Sequence, residues 1–415
     1  MCCAFGVVCF PTGLSLRAEP AWPQFRGPDQ QNISRETQVP LQWSESRNVR
    51  WKTALPGEGW SSPVVADGRI WVTAAFDDGK SLHALCVDYE TGKLLLDVEV
   101  FRNDVVPPKH RRNSHASPTG VLEGDRFYVH FGAMGTAALD STTGRKIWEN
   151  RSLVVDYQNG AGGSLTVHGN IVLIPCDGMD EQYQVGLSKD TGEVVWKVER
   201  SAKSFLETLP KDMRKAYGTP LIAMVDGKPL SLTTASTRLY AQDPQTGEEK
   251  WHVNYGKGFS NVPVPATDGK IAVICTGFMK PEVWGVRLGA AKGDISESHV
   301  LWRQKTAAPD QASPLLVDGR VYMVSSGGIA SCLNAENGEV VWKERIGSDF
   351  AASPLWAAGR IYFFDAQGVT TVVKPGDQWE VLAKNTLADG CMASAAVVNH
   401  SLIVRTKAAL YRIEE

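Results

Sequence analysis

The densest group of side chains able to do chemistry lies in one stretch, FRNDVVPPKHRRNSHASP. There Lys109, His110, Arg111, Arg112, Asn113 and His115 follow the stiff pair Pro107-Pro108. Cationic and titratable groups set side by side suit recognition of an anionic ligand or an acidic partner surface. A solvated connecting loop is the plainer reading of the same residues. A second stretch, PCDGMDEQYQ from Pro175, brings Asp177, Asp180 and Glu181 together. Carboxylate oxygens are what calcium prefers, but the EF-hand spacing is absent, so an acidic turn competes with an ion site. Arg405 and His130 stand where equivalent apolar runs end in Val324 and Phe364. They either line a channel or cap a strand end. No GxSxG, HExxH or Walker sequence is present, and no CxxC or CxxCH, so hydrolase, zinc-ribbon and attached c-type haem chemistry find no support.

These residues interrupt a pattern that runs the length of the chain. A Ser-Pro-like start, a short apolar run, an Asp-Gly-type turn and a second apolar run recur eight times. They begin at Ser62, Ser117, Ser164, Thr219, Val262, Ser313, Ser353 and Ser394. Starts about 40 to 55 residues apart with strand-like content predict a β-propeller, one four-stranded blade per unit. Asp-Gly tolerates the positive φ of a tight hairpin turn. A third strand follows, then a Thr-Gly or Asn-Gly turn, and four residues after that glycine a Trp: Trp148, Trp196, Trp251 and Trp342. Trp302 and Trp379 are assigned the same place after altered turns, and Leu96 replaces the Trp in the first unit. The last unit stops at YRIEE without a Trp-bearing strand, while VRWKTAL from Val49 is one strand too many at the front. Trp51 is therefore expected to complete the last blade and close the ring, leaving no open edge. The fold class is all-β, an eight-bladed propeller; seven blades is the alternative, because the Ser164 and Val262 units match less well.

Composition agrees. A chain of 415 residues with 39 Gly and 21% charged residues is globular and turn-rich, and repetition accommodates its length. A formal net charge of −3 gives no general attraction to nucleic acid. No apolar run reaches the eighteen or so residues needed to span a bilayer.

Residues 1–18, with the apolar CCAFGVVCF and a small Ala18, read as a signal peptide, although a basic start is missing. Residues 19–48 form an N-terminal extension and 49–415 the propeller. The chain is then an exported monomer of the periplasm or cell envelope. Cys2, Cys3 and Cys9 would leave with the signal; Cys86, Cys176, Cys275, Cys332 and Cys391 are scattered over different units and read as buried thiols.

The ending Ala-x-Asp-x-x-Thr-Gly-x-x-x-Trp, as in AALDSTTGRKIW from Ala137, resembles the PQQ-like repeat. That repeat occurs in quinoprotein alcohol dehydrogenases and in the outer-membrane assembly lipoprotein. WPQFRGP from Trp22 is similar to the opening of exported bacterial propellers of this kind. The resemblance covers nearly all of residues 49–415. It implies that Trp51, Trp148, Trp196, Trp251, Trp302, Trp342 and Trp379 dock each blade on the next. It also implies, for the dehydrogenase branch, a quinone on the ring axis with Ca²⁺ held by Glu and Asn oxygens, an Asp base and a vicinal disulfide. None of those ligands maps onto a matching motif here, and the only adjacent cysteines are Cys2-Cys3. The functional expectation is a non-catalytic binding or scaffold protein for a protein partner or small ligand at a propeller face. A PQQ-dependent alcohol or sugar dehydrogenase is the alternative. Lys109, His110, Arg111, Arg112, Asn113, His115, Asp177, Asp180 and Arg405 are the candidate contact residues.

Overall fold

Each unit of the repeat folds into an antiparallel meander because its two turns are short and its apolar runs alternate between two covered faces. The computed structural model describes residues 21–415; the expected signal peptide, with Cys2, Cys3 and Cys9, lies outside them. In blade 1 the strands are Val64–Ala66, Arg69–Phe76, Ser81–Asp88 and Leu94–Arg102, hydrogen-bonded in that order. Blades 2 to 7 repeat the scheme, giving an eight-bladed propeller. In the eighth, Ala396–Val398, Ser401–Arg405 and Ala409–Ile413 are completed by Val49–Ala54 from the start of the propeller, with Trp51 opposite Arg412. The short first strands of blades 1 and 2, 2 and 3, and 5 and 6 touch one another around the axis, and that of blade 1 touches that of blade 8. Blade 4 carries one addition, Gly293–Asp294, which runs parallel to the Trp251 strand.

The Thr-Gly turn and the Trp form one docking device. Gly192 has φ +74°, which a side chain disfavours, and a Cβ there would lie 2.4 Å from the Trp148 ring of the preceding blade. The Trp148 indole N–H donates to the Lys189 carbonyl at 2.9 Å. Trp51 donates likewise to Tyr89 at 2.9 Å, Trp302 to Ala335 at 2.8 Å and Trp342 to Gly376 at 3.0 Å. Trp196 packs over Gly247, but its buried N–H has no partner. Trp379 departs from the scheme. The register puts Ala383 opposite Val372, the place that Trp342 takes opposite Cys332 in blade 6. The altered turn of blade 7 leaves Trp379 before the strand, where its ring meets Trp342 edge-on at 4.9 Å.

Two unit boundaries also shift by two residues. The position equivalent to Ser62 is Thr119 rather than Ser117 in blade 2, and Val264 rather than Val262 in blade 5. The hydrogen bonds fix this. Ser62 N–H donates to Thr119 Oγ1, Thr119 to Ser164 Oγ and Ser164 to Thr219 Oγ1, each at 2.9 Å. Val264 donates to Ser313 Oγ, Ser313 to Ser353 Oγ and Ser353 to Ser394 Oγ, each at 3.0 Å. The Ser-Pro starts thus form a belt in which, at six of the eight seams, a hydroxyl of one blade accepts from an amide of the blade before it; Val264 has no hydroxyl to offer blade 4.

The N-terminal extension is no separate appendage. It crosses the end of the axis opposite the long inter-blade connections and seals it. Trp22 pairs with Val65 of blade 1. The Arg26 guanidinium, 1% exposed, donates to the carbonyls of Val264, Pro265 and Pro314. Gln30 bonds Pro220 and the Ile222 amide, and Asn32 bonds Pro354. One strap therefore ties inner strands from blade 1 to blade 7.

Candidate functional site

With one end sealed, the axial channel becomes a cup of about 590 Å³ that opens on the other face. Phe25 of the strap reaches its floor, and the Ser/Thr belt forms its throat. The connections between blades supply the walls, including Trp60, Lys215, Tyr217 and Phe259. Lys215 is 3% exposed, donates to the Asp212 carbonyl, and lies 5.5 Å from the Phe259 ring centre. Burial lowers its pKa, with Asp212 opposing the shift.

The long connection into blade 2 places His110, Arg112 and Asn113 on the cup wall. Its charge is largely matched within the protein. Lys109 lies 3.5 Å from Glu58 and 3.9 Å from Asp78, and Arg112 lies 2.5 Å from Asp349. Asn113 donates to the Asn159 and Ala161 carbonyls while its oxygen accepts from Ser114 and Ser117. Arg111 is exposed. His115 is buried against Gly79 with its Nδ1 unpartnered; burial first, then Lys109, lowers its pKa. The basic run is thus a structured wall rather than a free cationic surface.

The remaining candidates separate from the cup. Asp177 makes a two-pronged bond with Arg200, 2.8 and 2.7 Å, and the two side chains are 2% and 1% exposed. It is spent on Arg200 inside blade 3, away from the residues that line the cup. Asp180 holds its own loop, accepting from the amides of Asp156 and Glu181. Arg405 does not line the cup. It is buried in the seam between blades 8 and 1, donating to the Ser61 hydroxyl at 2.6 Å, the Ser61 carbonyl at 3.0 Å and the Thr73 carbonyl at 2.9 Å. Gly59 has no side chain because a Cβ would sit 2.4 Å from that guanidinium. Burial lowers the Arg405 pKa to about 9. His130 is likewise buried, bonds Thr136 through Nδ1 at 2.8 Å, and has its pKa lowered by burial to about 4. Lys215, Trp60 and Phe25 were not singled out from the sequence. Only their convergence around the axis distinguishes them.

The calcium-quinone arrangement implied by the resemblance does not fit these residues. Among the described residues the carboxylates lining the cup are Asp212 and Asp310, with no glutamate, and Asp310 already accepts the Ser326 hydroxyl. Asn113 is committed to its own loop. Among the described residues no cluster of three or more His, Cys, Asp or Glu is placed to hold a metal. The five cysteines there are buried and unpaired; burial raises Cys176, Cys332 and Cys391 to about 12, leaving inert thiols.

The fold and site together define an eight-bladed propeller sealed at one end of its axis and open at the other. The chain belongs to the PQQ-like family described as outer membrane protein assembly factor BamB, whose family model matches residues 41–153, 180–277 and 290–410. A quinoprotein ethanol dehydrogenase of Pseudomonas aeruginosa is 25% identical over 196 residues, 46% of this chain and 30% of that enzyme. This chain therefore matches less than a third of the enzyme's length. BamB of Moraxella catarrhalis superposes with a TM-score of 0.62 at 15% identity, covering 88% of this chain and 97% of that one. The quinohemoprotein alcohol dehydrogenase of Comamonas testosteroni gives 0.65 at 14%, covering 95% and 80%. At these identities the two solved structures show the fold alone.

Proposed function

We propose that this is an exported, non-catalytic binding or scaffold protein of the cell envelope. A protein partner or small ligand enters the open end of the axial cup. The observation carrying this reading is the cup itself, about 590 Å³, preformed and closed below by the protein's own N-terminal strap. Its aromatic and amide walls are built for contact. Arg112 is paired with Asp349, Lys215 bonds the Asp212 carbonyl and Asp310 accepts the Ser326 hydroxyl, so most of its charged groups are engaged within the protein. The family description, an assembly factor, supports the same reading. Among the described residues no helix is long and apolar enough to cross a membrane.

The test is to fill the cup. Gln311→Trp adds bulk on the wall, and the native and changed proteins are compared by mass spectrometry of what co-purifies from the source envelope. Species held by the native protein and lost from the variant support the reading. The opposing reading, a quinone-dependent oxidoreductase, draws on the dehydrogenase relative. Dye-linked oxidation of alcohols or sugars with added PQQ and Ca²⁺, abolished by a chelator, would establish it instead.

A further inference from the structure

A groove of about 690 Å³ lies beside the cup and shares with its wall the loop that carries Phe278 and Met279. Its cations come from three separate stretches of sequence: Lys257, Lys280, Arg303 and Lys305, all exposed. Among the described residues Glu282 is the only acidic side chain lining it; it lies 3.5 Å from Lys305 and also accepts the Trp284 indole N–H at 2.9 Å. Lys257, Lys280 and Arg303 have no carboxylate partner among the described residues. Arg303 stacks over Trp284 instead, 4.3 Å from the ring centre, so its donors remain available.

An apolar ridge borders the same groove. Phe278 is 47% and Met279 68% exposed, adjacent large side chains left in water. Phe278 is braced by an edge-on contact with Phe259 at 5.7 Å and by backbone bonds in both directions. The ridge is held in place, so it offers a preformed contact at small entropic cost. Tyr255 and Trp284 lie beneath, packed edge-on at 6.4 Å.

We propose that this groove docks an extended acidic segment of a partner protein, with one apolar side chain of that segment set against Phe278 and Met279. Charge complementarity selects the occupant: four cations face one carboxylate, in a concavity with an aromatic floor. The rigid ridge supplies the anchor, and the flanking cations steer and fix register. A flat anionic membrane would meet the lysine tips but leave the concave aromatic floor unused. The proposal extends the binding reading to a second surface and does not require the cup to be filled.

The experiment uses the full chain and fluorescence anisotropy with a labelled glutamate-rich peptide containing one leucine. Two control peptides carry Ser for the Leu, or Lys for each Glu. The expected result is saturable binding of the first peptide, weakened about tenfold by raising salt from roughly 50 to 300 mM. Both controls should bind at least about tenfold more weakly. Lys257→Glu with Lys280→Glu should weaken binding to a similar degree, and so should Met279→Ser, while melting temperatures stay near that of the native protein. Gln311→Trp should leave peptide binding intact, which separates this proposal from the cup reading. Equal binding of the lysine peptide would overturn it, as would charge reversal without effect. Binding to phosphatidylglycerol vesicles in preference to the peptide would overturn it in favour of a membrane.

Discussion

Arg112 and Asp349 meet at 2.5 Å across the mouth of the cup, joining the connection into blade 2 to the connection into blade 7. The two residues are 237 positions apart in the chain. Their side chains remain 38% and 34% exposed, so the pair holds loops rather than stabilising the fold. Arg112→Ala is expected to change global stability by only about 0.2–1 kcal/mol. Amide exchange should nonetheless quicken in residues 104–117 and 346–352. Unchanged exchange in both loops would show that the contact restrains nothing.

Acid should expose the cost of burying His130. Its pKa, lowered to about 4, lies below the ordinary 6.5, so the unfolded chain binds more protons between those values. Stability from this residue is complete above pH 6.5 and is lost as pH falls toward 4. At pH 4.5 the loss amounts to about 2–3 kcal/mol. His130→Asn should therefore be less acid-sensitive than the native protein when denaturant unfolding is compared at pH 7 and 4.5. Parallel pH profiles would mean that His130 protonates without penalty.

Asp177→Asn should destabilise by about 3 kcal/mol or more, because it leaves the buried Arg200 guanidinium without its countercharge. Calcium and chelator should leave the melting temperature of the native protein unchanged. A calcium-dependent rise would return Asp177 and Asp180 to the ion-site reading.

The docking device was legible in the sequence because it is local. The Thr-Gly turn that ends at Gly192 and the Trp148 that rests on it are set by the same repeat. Ring closure through Trp51 was legible from a strand missing at one end and surplus at the other. Charge was not. Lys109 and Arg112 look free in a linear reading because Glu58, Asp78 and Asp349 stand far away along the chain. The converse holds at the outer groove, where Lys257, Lys280 and Arg303 look unremarkable until two loops and a strand bring them together. Trp379 misled because the spacing of its altered turn suggested strand register, while the pairing slides Ala383 into place.

Arg26→Met keeps bulk but removes the donors to Val264, Pro265 and Pro314. It is expected to cost about 3 kcal/mol, since buried carbonyls lose their partners. It should also loosen the floor of the cup at Phe25. Denaturant unfolding that matches the native protein would show the strap to be dispensable.

The strap also dictates an order of events during synthesis. Asn32 bonds Pro354 across 322 residues, and Trp51 must find a strand that includes Arg412. The first part of the propeller to leave the ribosome is thus among the last to be seated. Every blade between must form while the axis is still open and the final sheet still has a bare edge. Contacts this distant in sequence are slow to form, and an unpaired edge in the meantime invites association with other chains. Maturation of this ring therefore turns on how its earliest residues are kept from other partners until the last blade arrives.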